Sequence, residues 1–267
     1  MTTPPLVVQL PGKGRMYEHP VTKELFPSVT NVIGILDKPA LVGWAARESA
    51  RAAWHNRKAL VQINDEEAAV DMIKNAHWRT SSRAASLGDS IHETCEALSR
   101  DEPLPSFSDQ AAPYLDQFLQ FVTDFGPKFS RIEGTVFSSK WGYAGTFDFL
   151  MLLEGYLILG DHKTGKGVYP ETALQLAALA HADEMWSRDT GELEPMPVTD
   201  ACIALHLQPE RYAAYLVNAS ETAFQTFLGL LQALPWAKGG DKGAIGASVN
   251  RARLLRALAA EPRELET

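Results

Sequence analysis

Two aspartates and a lysine in one short stretch offer the clearest chemistry in this sequence. The stretch runs GTFDFLMLLEGYLILGDHKTGK, from Gly145 to Lys166. Its apolar runs read as two strands, Gly145 to Leu153 and Tyr156 to His162, joined by the tight turn Glu154-Gly155. Asp148 falls on the first strand and Asp161 at the end of the second. Antiparallel neighbours lie ~5 Å apart, which lets the two carboxylates converge on one cation. Side chains alternate along a strand, so Asp161 and Lys163 share a face, while His162 turns its side chain away and offers its backbone carbonyl. Hard oxygen ligands of this kind hold Mg²⁺ or Mn²⁺, one or two ions. Such an ion lowers the pKa of a bound water and neutralises charge on a phosphodiester, and a nearby ammonium orients the nucleophile or stabilises developing charge. Asp148 sits between Phe147 and Phe149, and Asp161 follows the apolar run YLILG; charges in such places need partners.

The elements that must position these groups change period near residue 128. Before it the pattern is mainly helical: Pro39 to Leu60, Asp65 to Ala76, Thr80 to Leu98, and Asp109 to Phe125 closed by Gly126-Pro127. PSVTNVIGIL, Pro27 to Leu36, reads as a short strand or as a helix opening capped by Ser28 or Thr30. After residue 128 come strands from Ile132 to Ser138 and in the hairpin, a helix from Glu171 to Trp186, a polar loop, a strand pair (Ala201 to Leu207, Tyr212 to Val217) and a helix from Thr222 to Leu234. The expected architecture is one α/β domain over 1–267, a central mixed sheet flanked by helices. Within it, 1–128 is mainly helical, 129–235 is the α/β core and 236–267 is a basic tail.

These motifs resemble the PD-(D/E)XK nuclease superfamily, in particular its RecB-like, phage-type exonuclease branch, over roughly Ser28 to Val217. GTFD matches the family's first catalytic aspartate at Asp148, and DHK matches its D/E-x-K element at Asp161 and Lys163. LGDSIHETCEAL matches the helical G-x-x-[IV]-H segment that brings a metal-binding histidine, His92. Gln175 in ETALQLAALA matches the glutamine of a Q-x-x-x-Y motif, although the tyrosine position holds Leu179. The resemblance implies a restriction-endonuclease-like core. His92, Asp148, Asp161 and the His162 carbonyl would hold Mg²⁺ or Mn²⁺. Lys163 and Gln175 would complete the catalytic set. The implied activity is DNA cleavage in recombination or repair, plausibly phage-encoded, alongside a possible recombination partner protein. The iron–sulfur cysteines of some relatives are missing.

Other residues carry weaker signals. Glu133, at the start of the first strand, is either a further metal ligand or an exposed strand residue. Glu93 and Glu96 read as solvated or paired with an arginine on their own helix. Thr164, Lys166 and Tyr169 follow the D-x-K strand and are candidate DNA contacts. Arg47, Arg51, Arg57, Lys58, Lys74, Arg79 and Arg83 lie among Trp44, Trp54, His77 and Trp78. That pattern could track a single strand, but tryptophans on paired amphipathic helices more often pack inward. Lys238, Lys242, Arg251, Arg253 and Arg256 form a second basic group, suited to DNA or to another copy of the chain.

The totals narrow the classes. The chain has 267 residues, 45% of them hydrophobic and 22% charged, which suits a globular protein with a sizeable core. A net charge of −8 argues against a protein that coats nucleic acid by charge alone. The two cysteines, Cys95 and Cys202, form no CxxC pair, so an iron–sulfur cluster and a disulfide framework are not expected. No apolar run suits a membrane span, the opening residues lack a secretory pattern, and a cytoplasmic setting is expected. The alternatives are a catalytically silent, DNA- or protein-binding module of the same fold, an RNA-directed or structure-specific relative, and an unrelated metal hydrolase; HExxH spacing is absent. Polarity, strand preference and oligomeric state are not legible in these residues.

Overall fold

The computed structural model describes residues 6–240 apart from 13 and 189, with a few positions between 244 and 256. Lys242 and most of the expected C-terminal helix lie outside the described residues. The chain opens with three short antiparallel strands, β1 (Val7–Leu10), β2 (Gly14–Glu18) and β3 (Leu25–Pro27), over a stretch with no clear sequence periodicity. The ambiguous PSVTNVIGIL segment is a helix, α1 (Val29–Ile33). Ser28 caps it, its hydroxyl accepting the Asn31 N–H at 3.0 Å.

The helical region follows as α2 (Pro39–His55), α3 (Arg57–Leu60), α4 (Glu66–Lys74), α5 (Ala76–Ser99) and α6 (Ala112–Phe125). Asp65 caps α4, and Gly126 ends α6 in the left-handed region at φ 58°, where a glycine avoids the Cβ penalty. None of α2, α3 and α4 has a buried residue. They and the first half of α5 form an arm standing off the main body. The expected inward packing of the tryptophans fails for this reason: Trp54 is 66% exposed and Trp78 64%. The Arg57 guanidinium lies 4.6 Å over the Trp54 ring, while Trp44 is half-buried edge-on to His77.

The body is a seven-stranded mixed sheet. Its strands are β4 (Lys128–Ser138), β5 (Tyr143–Leu153), β6 (Tyr156–Lys163), β7 (Glu184–Trp186), β8 (Leu193–Pro195), β9 (Ala201–Leu207) and β10 (Tyr212–Val217). The order is β10-β9-β6-β5-β4-β7-β8, all antiparallel except the central β6–β9 pair. The β5–β6 turn places Glu154 and Gly155 at φ 50° and 91°, the two positive angles a tight two-residue hairpin requires. Helices α7 (Glu171–Ala180), α8 (Glu221–Ala237) and α1 cover one face, around Leu150, Leu159, Leu176 and Phe227. Helices α5 and α6 cover the other, around Ile91, Phe118, Phe149 and Ile203. The chain is therefore an α/β protein with a large mixed sheet flanked by helices.

Helix α7 is shorter than its sequence pattern suggests. Asp183 is drawn to β4: its N–H donates to the Phe137 carbonyl at 2.9 Å, and its carboxylate accepts from the Ser138 hydroxyl and the Lys140 N–H at 3.0 Å each. The chain leaves the helix at His181 to make these bonds, and Glu184–Trp186 pairs with β4 as an edge strand. The segment read as a polar loop contains β8, which pairs with β7. Among the described residues no helix is long and apolar enough to cross a membrane.

Candidate active site

The central strands splay apart at the chemistry. The paired register of β5 and β6 runs from Leu153↔Tyr156 to Phe149↔Gly160 and stops there. The next residues on either side are Asp148 and Asp161. In place of a further ladder bond, the Asp148 carboxylate accepts the His162 N–H at 2.5 Å. This charge-assisted bond fixes Asp148 in the cleft between the strands.

Two groups of side chains meet there. On the α7 side, Asp161, Lys163 and Gln175 form a closed set. Lys163 Nζ lies 2.6 Å from Asp161 Oδ2 and donates to Gln175 Oε1 at 3.0 Å, and Gln175 Nε2 donates to Asp161 Oδ1 at 2.6 Å. Strand alternation puts Asp161 and Lys163 on one face, as expected, and α7 brings Gln175 onto them. On the α5 side, His92 Nδ1 and His162 Nδ1 each lie 3.5 Å from Asp148 Oδ2. His92, Asp148 and His162 each offer a ligand atom, all within 4.8 Å of one another, and among the described residues this is the group spaced for a metal ion. Asp161 Oδ1 accepts from Gln175, while its buried Oδ2 faces Lys163 and has no hydrogen-bond partner.

The His162 side chain departs from its expected place. It points to the opposite face from Asp161 and Lys163, yet that face is the α5 side of the same site. Its ring packs against Phe149, Phe118 and His92 at centroid distances of 4.9, 5.6 and 5.5 Å. Both its ring nitrogens are buried without a hydrogen-bond partner. A buried imidazole flanked by a carboxylate and a second imidazole fits a divalent cation, since a bond to metal satisfies a nitrogen that is otherwise orphaned.

Electrostatics tie the two groups together. Burial lowers the His92 pKa, but the charge of Asp148, with Asp161 and Glu133 behind it, outweighs that and raises it to about 9. Burial raises Asp148, yet His92 and His162 hold it well below the usual carboxylate range. Asp161 is raised by burial and then by Asp148, against the pull of Lys163. Carboxylates packed beside two imidazoles in this way could hold a cation.

Glu133 does not open its strand; it lies within β4, at φ 55°, beside a register shift between Phe129 and Arg131. Its carboxyl meets that of Glu96 on α5. Burial, then the charges of Asp148 and Glu96, push Glu133 up to about 9. Glu96 pairs with Arg100 at 3.6 Å on its own helix, as its spacing suggested, and also meets Glu133 at the site edge. It was legible in one respect: it lies one helical turn beyond His92.

Beyond Lys163 the surface opens into two adjoining hollows. One, of about 360 Å³, is lined by Lys38, Lys163, Tyr169 and Gln175 among others. The other, of about 510 Å³, is lined by Lys166, Tyr169, His206, Arg211 and Tyr215 among others. Tyr169 belongs to both and is exposed. Lys38 is paired with Glu171 at 2.9 Å. Thr164 is less open: its hydroxyl lies against α5 at Gly88, where a Cβ would come within 3.0 Å of it.

No protein-family profile matches the sequence, and no curated protein sequence matches it. The solved crystal structure of SSO0001 aligns over 78% of this chain and 74% of that chain, at a TM-score of 0.35 and 15% identity. That degree of likeness carries no argument for fold or activity.

Proposed function

We propose that this protein is a metal-dependent deoxyribonuclease built on a restriction-endonuclease-like core, acting on DNA ends in recombination or repair. The observation that supports this most is the closed set Asp161–Lys163–Gln175 standing across one strand from Asp148, His92 and His162. A lysine in a solvated turn would be free to move. Here Gln175 and Asp161 hold the Lys163 ammonium at the mouth of a hollow and beside a cation-binding group.

In this reading Lys163 orients the attacking water and stabilises charge on the phosphate. Gln175 holds Lys163 in place, and Asp148 and the histidines hold the cation. When bound, a divalent ion supplies charge neutralisation at the scissile phosphate and a more acidic water. Lys166, Tyr169 and Arg211 line the departing path, where charge pairs with phosphate and an aromatic face with a base. The net charge of −8 does not oppose this, because only the path must be basic.

The test is digestion of end-labelled linear DNA and closed circles, each single- and double-stranded, with Mg²⁺, Mn²⁺ or EDTA. Wild type is compared with Asp161→Ala and Lys163→Ala. The expected result is metal-dependent loss of linear DNA that either substitution abolishes, with circles spared if the enzyme needs an end. A folded wild type that cuts nothing with any metal would sink the catalytic reading and leave a DNA- or protein-binding module in its place.

A further inference from the structure

We infer that the His162 imidazole is itself a metal ligand, so that the site is a His92–Asp148–His162 centre selecting a transition-metal ion, Mn²⁺ or Co²⁺, over Mg²⁺. The inference rests on the metal-dependent reading above for its purpose, but metal binding tests it without any cleavage. It differs from the expectation that residue 162 offers only its carbonyl.

Three observations carry it. First, both imidazoles present Nδ1 at 3.5 Å from one oxygen of Asp148. That is too long for a good hydrogen bond. It is close to the ~3.0–3.4 Å that separates two ligand atoms bonded to one ion at ~2.1 Å. Second, His162 packs among Phe118 and Phe149 with neither ring nitrogen hydrogen-bonded. An ion at Nδ1 would give one of these two buried nitrogens the partner it lacks. Third, the group spaced for an ion supplies two imidazole nitrogens beside the Asp148 carboxylate, whichever part the Asp161 oxygen facing Lys163 takes. Mg²⁺ favours an all-oxygen shell, whereas Co²⁺ and Zn²⁺ accept imidazole readily and Mn²⁺ tolerates it better than Mg²⁺ does.

The test measures binding of Mn²⁺ and, separately, Mg²⁺ by calorimetry on the full chain, wild type and His162→Leu. That substitution removes the imidazole and keeps the backbone carbonyl. Wild type is expected to bind Mn²⁺ at least 10-fold more tightly than Mg²⁺. His162→Leu is expected to lose at least 10-fold in Mn²⁺ affinity while its Mg²⁺ affinity stays within twofold. A second measurement needs no variant: with histidine ring nitrogens labelled with ¹⁵N, Zn²⁺ should shift the signals of both His92 and His162. Unchanged Mn²⁺ affinity in His162→Leu, or a shift confined to His92, would overturn the inference and return the ligand role to the carbonyl. If His162→Leu fails to fold by circular dichroism, the ring-nitrogen spectra of the wild type decide. Metal-dependent cleavage that survives in His162→Leu with unchanged Mn²⁺ binding removes this proposal alone, while a wild type that binds no divalent ion removes the metal-dependent reading with it.

Discussion

The ring of Phe149 occupies the space where a side chain at Gly160 would stand: a Cβ there would meet the ring at 1.9 Å. The two residues are direct partners across β5 and β6. Phe147 stands in the same relation to Gly134 on β4, at 2.0 Å, so the rings on both sides of Asp148 are keyed into neighbouring strands. Gly160→Ala is therefore expected to force Phe149 off its position and to destabilise the fold by about 1–3 kcal/mol. Urea unfolding of the variant checks this; a midpoint equal to wild type would mean the ring gives way freely.

Gln175 touches the two catalytic candidates and lies on another element, so it acts by positioning. Gln175→Leu should lower kcat by about 10–100-fold with KM and the unfolding midpoint little changed. Gln175→Asn, too short to span both groups, should behave alike. An effect confined to KM would show instead that Gln175 contacts DNA.

The open path beyond Lys163 makes a claim about salt. Lys166→Ala and Arg211→Ala should each weaken DNA binding and reduce the slope of log affinity against log salt by about 0.7–0.9, the share of one phosphate contact. Binding titrations in EDTA across a salt series measure this without cleavage. Unchanged slopes in both variants would put the strand elsewhere, with the exposed Trp54 and Trp78 of the arm next to be tried.

Alkaline pH should destabilise the fold through groups outside the His92–Asp148–His162 cluster. Burial raises the Tyr17 and Tyr143 hydroxyls, and it raises the Cys202 thiol from 9.0 to about 11. A raised acid stays protonated in the folded chain after the unfolded chain has lost its proton. The stabilisation is therefore whole below about pH 9 and is lost as pH rises towards 11, by about 2–3 kcal/mol for Cys202 alone. Urea midpoints between pH 7 and 10.5 should fall, and Cys202→Ala should flatten part of the fall. A flat profile would show that these groups titrate normally in the folded state.

The parts of this molecule that the sequence discloses are those governed by local rules. Alternation and the Glu154-Gly155 turn specify the β5–β6 hairpin, and the 3.6-residue period marks α5 and α6. The same alternation places Asp161 with Lys163. It also sends the His162 ring to the other face, but alternation alone does not say that α5 delivers His92 to that face, which makes the ring part of the site. Alternation does not place Glu133, because its backbone leaves regular strand geometry at φ 55°. The end of α7 was missed because Asp183 takes its partners from Ser138 and Lys140, about 45 residues away. The exposed tryptophans reverse a general preference for burial, because the arm that carries them has no sheet to pack on.

Helix α5 runs 24 residues and joins two unlike places. Residues 78–86 are all exposed on the arm, whereas Ile91 and Cys95 are wholly buried beside the sheet. Were the arm to turn about the point where the helix enters the body, that fulcrum would lie next to His92. At ~1.5 Å of rise per residue, a ~10° swing about that fulcrum carries the helix start through ~4 Å and moves His92 by less than ~0.5 Å. An arm turning in this way would follow a bulky partner while leaving the His92 imidazole at rest.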